Sequence, residues 1–313
     1  MGTTYTVKIA VTDDKNEEAA SLSQIIQDNL DDINEKMSTY RPDSELSRFN
    51  QHTDSSPFPV SPEMLDVFSM ARQVSDESEG AFDVTVGPLV DAWGFGPKNN
   101  RDQTPTDEEL IALQQRVGYQ KIQINPATCS LSKSAPDIQC DLSAIAKGYA
   151  VDRVAEAIES TGYANYMVEV GGEVRTKGLS DTGHPWRIAI EKPVPDAREP
   201  DLIVPMSGLS LASSGDYRNF RPLDGLSHTI DPSTGRPIAH KLAAVSVLHA
   251  ECAMADAYAT AMMAMGPEKG MALAETRNLA AVFYLHREDG GFDRHLSTQF
   301  DSMMKTMREK TER

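Results

Sequence analysis

A chain of 313 residues, 40% of them hydrophobic and 25% charged, has the make-up of a globular protein with room for one large domain or two packed lobes. Its 47 acidic against 30 basic side chains leave a net charge of −17, which argues against nucleic acid as a partner, because that binding rests on neutralising phosphates. A phosphorylated substrate would need a metal ion or a locally basic pocket to reverse the field.

The chain starts almost directly on an alternating pattern, Tyr5, Val7, Ile9 and Val11, which predicts a strand. Residues 17–37 carry Leu22, Ile25, Ile26, Leu30, Ile33 and Met37 at helical spacing. The polar stretch from Ser38 to Gln51 reads as an irregular loop. A second helix starts at Ser61-Pro62, a cap followed by a first-turn proline. The glycine- and aromatic-rich run 80–97 shows no clean periodicity, and Thr106 with Glu109 predicts a capping box for a short helix that stops before Gly118.

Residues 120–141 alternate as a hairpin does, with turn residues near Ser134–Asp137. Cys129 and Cys140 flank it and either face each other across it or stay free. A helix at 143–161 ends on Gly162. Strands follow at 164–170, 173–178, 186–192, 202–206, 209–213 and 243–249, with short turns that predict antiparallel pairing. A small-residue helix at 252–265, another helix, a strand at 279–286 and a last helix near 297–309 complete an α+β fold, read as one domain over 1–313. No window holds the ~20 apolar residues of a membrane span. No basic-then-apolar leader precedes the first strand, so either the protein is cytosolic or an export segment has been removed.

The familiar nucleotide and hydrolase signatures are missing: no G-x-x-x-x-G-K-[ST], no G-x-G-x-x-G between strand and helix, no G-x-S-x-G, no H-E-x-x-H. In A-D-A-Y-A-T-A, Asp256 and Thr260 stand four apart and share a helix face among alanines. A carboxylate and a hydroxyl with small neighbours suit a hard cation, or equally a packing face with one solvated acid. In D-L-S-A-I-A-K-G-Y, Lys147 near a helix start suits a phosphate, while Asp141 either takes part in binding or caps the helix. In G-A-F-D, Phe82 either stacks on a planar ring, with Asp83 bonding its edge, or belongs to the core. His228 stands two residues before Ile230 in H-T-I-D-P-S-T-G, beside the Asp231-Pro232 turn.

These segments occur in one order with G-T-T-Y-T-V near the start, M-S-T-Y-R-P-D-S-E-L-S-R-F-N at 37–50, F-D-V-T-V-G-P-L-V-D-A-W-G-F-G at 82–96, V-E-V-G-G-E-V at 168–174 and S-G-D-Y-R-N-F at 214–220. The set resembles the ApbE family, FAD:protein FMN transferases once described as thiamine-biosynthesis lipoproteins, over essentially the whole chain. The resemblance implies FAD contacts at Met1, Tyr40, Ala81, Phe82, Asp83, Asp141, Lys147 and Ile230. It implies a Mg²⁺ site from the carbonyl of Ala144 with Asp256, Ala259 and Thr260. It also implies that FAD is split at its pyrophosphate, AMP is released, and FMN is attached by a phosphoester to Thr or Ser of an acceptor. Acceptors of this family resemble subunits of sodium-pumping NADH:quinone reductase and related electron-transport complexes.

A catalytic base is expected at His228, since an imidazole titrates near the working pH. The resemblance further implies an exported lipoprotein on the periplasmic side of the bacterial inner membrane, as monomer or homodimer. Two other readings remain at this stage: a Mg²⁺-dependent FAD pyrophosphatase, with Tyr40 controlling which acceptor enters, and a flavin-binding lipoprotein without turnover.

Overall fold

The alternation at the start of the chain places strand β1 (Tyr5–Ile9) on the edge of a sheet, paired antiparallel with a strand more than 150 residues on. The computed structural model describes residues 2–11, 16–97, 104–194, 199–216 and 226–311. The amphipathic stretch forms α1 (Asn16–Met37), which buries Leu22, Ile26, Leu30, Ile33 and Met37. The expected loop after it contains α2 (Glu45–Gln51), with Ser44 accepting from the N–H of Ser47 at 3.0 Å. Only Leu46 and Phe49 in this short helix offer an apolar face, too little for a periodic signal. Then come β2 (Phe58–Pro59) and α3 (Pro62–Glu77), capped by Ser61 as expected.

The glycine- and aromatic-rich run forms α4 (Gly87–Ala92), and the capping box opens α5 (Asp107–Gln114). A 3-10 turn at Tyr119–Lys121 leads to the hairpin of β3 (Ile122–Asn125) and β4 (Ser130–Lys133). The hairpin turns at residues 126–129, with Cys129 at φ 46°, and not at 134–137. The later segment is instead gathered by buried Lys133, whose ammonium donates to the carbonyls of Asn50, Pro136 and Ile138. All three cysteines are free, so Cys129 and Cys140 form no bridge.

Next are α6 (Ala146–Ser160), β5 (Tyr166–Val170), β6 (Glu173–Lys177), β7 (Trp186–Glu191), β8 (Pro200–Met206) and β9 (Leu209–Gly215). The chain continues through β10 (Ile230–Asp231), β11 (Arg236–Pro237), β12 (Leu242–His249), α7 (Cys252–Met265) and α8 (Pro267–Thr276). It ends with β13 (Ala280–His286), β14 (Phe292–Leu296), which the sequence did not announce, and α9 (Thr298–Thr311). The main sheet runs β1-β5-β6-β9-β12-β13-β14 and every described pair is antiparallel, which confirms the α+β expectation.

Both faces of this sheet are covered, the arrangement that two apolar faces demand. Tyr166, Val168, Val170, Val245 and Val247 face α1, α3, α6 and α7 in the larger core. Val174, Leu211, Leu248 and Val282 face a second core closed by β7, β8 and α9 through Ile188, Ile190, Val204 and Phe300. Among the described residues, no helix is long and apolar enough to cross a membrane.

Helix α7 is apolar nearly all round and sits inside the molecule, as such helices must. Its start is capped from another helix: the carboxylate of Asp152 in α6 accepts from the N–H groups of Cys252 and Ala253 at 3.0 and 2.9 Å, and Arg175 of β6 donates to it at 2.6 Å. Four residues earlier, Gly148 lets the two helices meet. A Cβ there would lie 2.3 Å from the carbonyl oxygen of Cys252, backbone that cannot swing aside. Gly148→Ala should therefore force α6 and α7 apart and cost about 1–3 kcal/mol or more. Urea unfolding checks this; an unshifted midpoint would contradict so close a packing.

Candidate functional site

The end of the sheet at the β5–β6 turn, the start of α6 and the loops around α4 enclose a cleft of about 970 Å³. It is bordered by Tyr40, Ala81, Phe82, Asp83 and Asp141, and by Ala144, Lys147, His228, Ile230 and Thr260. These expected site residues thus come together from distant parts of the chain. Asp256 and Ala259 are not on the wall but directly behind it in α7, and Met1 lies outside the described residues.

Each segment is held by bonds that its sequence supplies. Tyr40 follows α1, where the Ser38 hydroxyl accepts from its N–H and the Ser38 carbonyl accepts from Ser44. Its ring is 71% exposed and also borders a side pocket of about 120 Å³, which makes it the aromatic face open to a planar ligand. Phe82 is not such a face: it is buried in the larger core. The edge-bonding role for Asp83 also gives way, because its carboxylate accepts from the N–H and hydroxyl of Thr85 at 2.7 and 2.6 Å and from the N–H of Tyr119 at 2.8 Å. Burial pushes this carboxyl above the ordinary range, and those bonds pull it back. Asp83 is the knot of the turn that presents residues 81–83.

Asp141 is fixed twice over. Its N–H donates to the carbonyl of Val84, which joins two motif segments, and its carboxylate accepts from the N–H of Ser143 at 2.7 Å. It makes a local turn and does not cap α6, whose first residue is Ala146 and whose cap position is Ile145. Just before it, the Asn50 amide brackets Cys140, donating to its carbonyl at 2.8 Å and accepting from its N–H at 2.7 Å.

A charged cluster lies at the cleft floor. Lys147 Nζ is 3.2 Å from both carboxylate oxygens of Asp256 and 3.5 Å from Glu173 Oε1. Asp256 is 2% exposed, so it is not the solvated acid of a packing face; its Oδ2 also accepts from the N–H of Gly148 at 3.0 Å. One turn on, the Thr260 hydroxyl shares a 3.0 Å bond with that of Ser214. Glu173 Oε2 is buried with no hydrogen-bond partner. Burial pushes Glu173 up to about 8, with Lys147 opposing and Asp256 adding to the shift. Burial works against the charge on Lys147, but Asp256 and Glu173 more than restore it and hold the ammonium above its ordinary value.

The sequence reading assigned no role to Glu173. The signal was its strand, Glu-Val-Arg-Thr-Lys, whose charged face pairs with α6 through Lys147 and Asp152 instead of facing water.

A carboxylate and a hydroxyl one helical turn apart are oxygen donors of the kind magnesium takes, which leaves its shell room for water and phosphate oxygens. Asp256 and Thr260 would hold it with the carbonyls of Ala144 and Ala259. Among the described residues there is no cluster of three or more His, Cys, Asp or Glu of the kind that zinc or calcium would use.

His228 enters the cleft on the loop before β10. The Asp231-Pro232 turn is braced by Asp231 itself, which accepts from the N–H and hydroxyl of Ser233. From outside the turn, Trp93 Nε1 donates to the Gly235 carbonyl at 2.8 Å and Gln114 donates to the Ser233 carbonyl at 2.7 Å. Ile230 packs with Leu89, Trp93 and Leu110. The His228 ring meets Phe95 edge-on at 6.4 Å.

Residues 1–283 match the sequence profile of the ApbE family. A Vibrio cholerae protein named FAD:protein FMN transferase is 48% identical over 306 residues, 96% of this chain and 89% of that one. The solved flavin transferase ApbE from Vibrio cholerae superposes with a TM-score of 0.88 at 46% identity, over 96% of each chain. The apo flavinyl transferase ApbE of Pseudomonas stutzeri gives a TM-score of 0.86 at 39% identity, over 97% of this chain and 94% of that one.

The raised Glu173 makes stability pH-dependent. Its folded value of about 8 exceeds the ordinary 4.5, so its contribution is intact below the ordinary value and is lost as pH rises through about 8. Glu173→Gln should flatten that fall. Melting curves at about pH 6 and about pH 9 decide it; an equal fall in the variant would assign the pH dependence elsewhere.

Proposed function

The chain belongs to the ApbE family, and we infer that it is an FAD:protein FMN transferase, splitting FAD and joining its FMN half to another protein. The observation that carries this for the chain's own residues is the single cleft that unites an exposed Tyr40, the ammonium of Lys147 and the imidazole of His228.

In the reaction, the acceptor's Thr or Ser hydroxyl oxygen bonds to the phosphorus of the FMN half. The bridging P–O bond breaks, AMP leaves with the bridging oxygen, and the hydroxyl proton passes to His228. Lys147 binds phosphate oxygens as a point charge in an otherwise acidic protein. Tyr40 lays its ring on the flavin and controls which acceptor enters, while Asp141, the turn at Ala81–Asp83, Ile230 and Met1 complete the FAD site. Magnesium, bound by Asp256, Thr260 and the carbonyls of Ala144 and Ala259, would supply charge neutralisation for the pyrophosphate and the departing AMP.

The family resemblance, not the geometry, supports the remaining assignments. These are acceptors of the sodium-pumping NADH:quinone reductase type, a monomer or homodimer, and a lipid-anchored precursor on the periplasmic side of the inner membrane.

Incubating the chain with FAD, Mg²⁺ and a candidate acceptor should give protein-bound flavin fluorescence on a denaturing gel and an FMN adduct by mass spectrometry. FAD consumed without any labelled acceptor would make the protein a pyrophosphatase. FAD bound stoichiometrically and left intact would make it a carrier.

His228→Asn should keep FAD binding while flavinylation falls roughly 10²–10⁴-fold; a wild-type rate would place the base elsewhere. Asp256→Asn, which preserves shape beside Gly148, should reduce AMP release by about 10²–10³-fold. An unchanged rate at ordinary Mg²⁺ would remove Asp256 from the metal site. The alanine variant is a poorer test, since it strands Lys147 and the Gly148 N–H and lowers stability as well.

A further inference from the structure

The segment S-G-D-Y-R-N-F opens on Ser214, which no step of the reaction above uses. Ser213 and Ser214 stand side by side near the end of β9, and both border the cleft. Neighbours on a strand turn to opposite faces of the sheet, and the cross-strand partners tell which. Ser214 is paired with Val245, a residue of the larger core, so its hydroxyl is on the side of α7. Ser213 is paired with Ser246 on the other face, where the two hydroxyls share a 2.7 Å bond.

Ser214 reaches Thr260 of α7, with 3.0 Å between the two oxygens. Neither hydroxyl has another hydrogen-bond partner among the described residues. A threonine inside a helix often returns its proton to the carbonyl four residues back. Thr260 meets a side chain of the sheet instead, one turn along α7 from the Asp256 carboxylate that holds Lys147.

One proton lies between these oxygens, and its direction decides what the pair can do. If Ser214 donates it, one lone pair of Thr260 is occupied and the Ser214 proton is spent inside the protein. If Thr260 donates it, both lone pairs of Thr260 stay open and the Ser214 proton is left for the cleft. A phosphate beside Lys147 selects the second direction, because a hydroxyl turns its proton toward the acceptor with the greater charge. Two hydroxyls donating in one direction also polarise each other, so each bond gains from the other.

We propose that Ser214 is a further binding residue for FAD: it accepts the Thr260 proton, which leaves the Thr260 oxygen open to magnesium, and donates its own proton to a phosphate oxygen. The proposal rests on the transferase reading above and adds a neutral donor to its phosphate site. A hydroxyl suits this acidic protein, since it offers a proton to an anion without a charge that nearby carboxylates would offset. Ser214 and Thr260 come from different elements, so their bond also ties the phosphate-binding edge of the sheet to the helix of Asp256.

The test compares Ser214→Ala with Ser213→Ala in the whole chain. Ser214→Ala should weaken FAD binding about tenfold in a fluorescence titration without Mg²⁺, the loss of one hydrogen bond to a charged oxygen. It should also raise the Mg²⁺ needed for half-maximal AMP release by roughly 10–100-fold, as loss of a partner that orients a metal ligand does. Ser213→Ala breaks a shorter hydroxyl pair on the same strand and should change neither value. In a Thr260→Val background, which keeps the shape and removes the hydroxyl, Ser214→Ala should still weaken FAD binding but raise the Mg²⁺ requirement no further. Wild-type FAD affinity or an unchanged Mg²⁺ requirement in Ser214→Ala overturns the proposal. So does an equal effect from Ser213→Ala, or a further rise in the Thr260→Val background. A wild-type chain that binds FAD and labels no acceptor removes the transferase reading on its own, while the FAD titration still decides for Ser214.

Discussion

The site depends on how closely α6 and α7 approach at Gly148, where the carbonyl of Cys252 fills the space of a Cβ. That contact brings the Gly148 N–H within 3.0 Å of Asp256 and hangs Lys147, the preceding residue, over the same carboxylate. Asp152, one turn further along α6, then locks the start of α7 through two N–H bonds. The helix that carries Asp256 and Thr260 is therefore set in depth by a missing side chain and in rotation by a carboxylate on its neighbour. Both devices come from the single stretch 141–152, which is why so much chemistry rides on one loop and one helix start.

An acidic protein that handles phosphates must concentrate positive charge where it is used. Here a half-buried Lys147, set between Asp256 and Glu173, offers a cation at the cleft floor without a basic surface. The ammonium is kept charged chiefly by Asp256, while Glu173 holds its own proton to about pH 8. The cluster is close to neutral as it stands, so a second cation at Asp256 would compete with Lys147 for the carboxylate. Glu173 keeps one oxygen at 3.5 Å from Nζ, on the other side of the ammonium from water.

Much of this was legible in the sequence. The period of α1, the caps at Ser61 and Thr106, the alternation of the sheet strands and the alanine-rich α7 all stand close to where local pattern put them. Local pattern failed where the deciding contact is remote. Helix α2 has too few apolar positions to show, and it is held by Asn50 and Glu45, which bond to Cys140 and Ser61. The segment at 134–137 has turn composition, yet Lys133 draws its carbonyls inward and the hairpin closes earlier. Most of the residues named from motif order border the cleft, but their order says nothing of the contacts each one makes. Phe82 and Asp83 shape its wall from within, and Glu173 was hidden in a strand whose charged face looked like a wet one.

The cap on α7 has one more consequence. A thiol at the first residue of a helix ordinarily loses its proton easily, because the helix end favours the thiolate. Cys252 occupies that position, but burial, together with the negative charge of Asp152 at the same helix end, drives it the other way. Cys140 is also buried and pushed up by the loss of solvent. The thiolate is the reactive form of cysteine, so the raised pKa and burial of both sulfurs disfavour their reaction in the folded protein. Only the half-buried Cys129 is left within reach, and it has no second thiol to join. The fold is thus held together without a disulfide among its three cysteines, and the two buried sulfurs serve it as packed, protonated thiols.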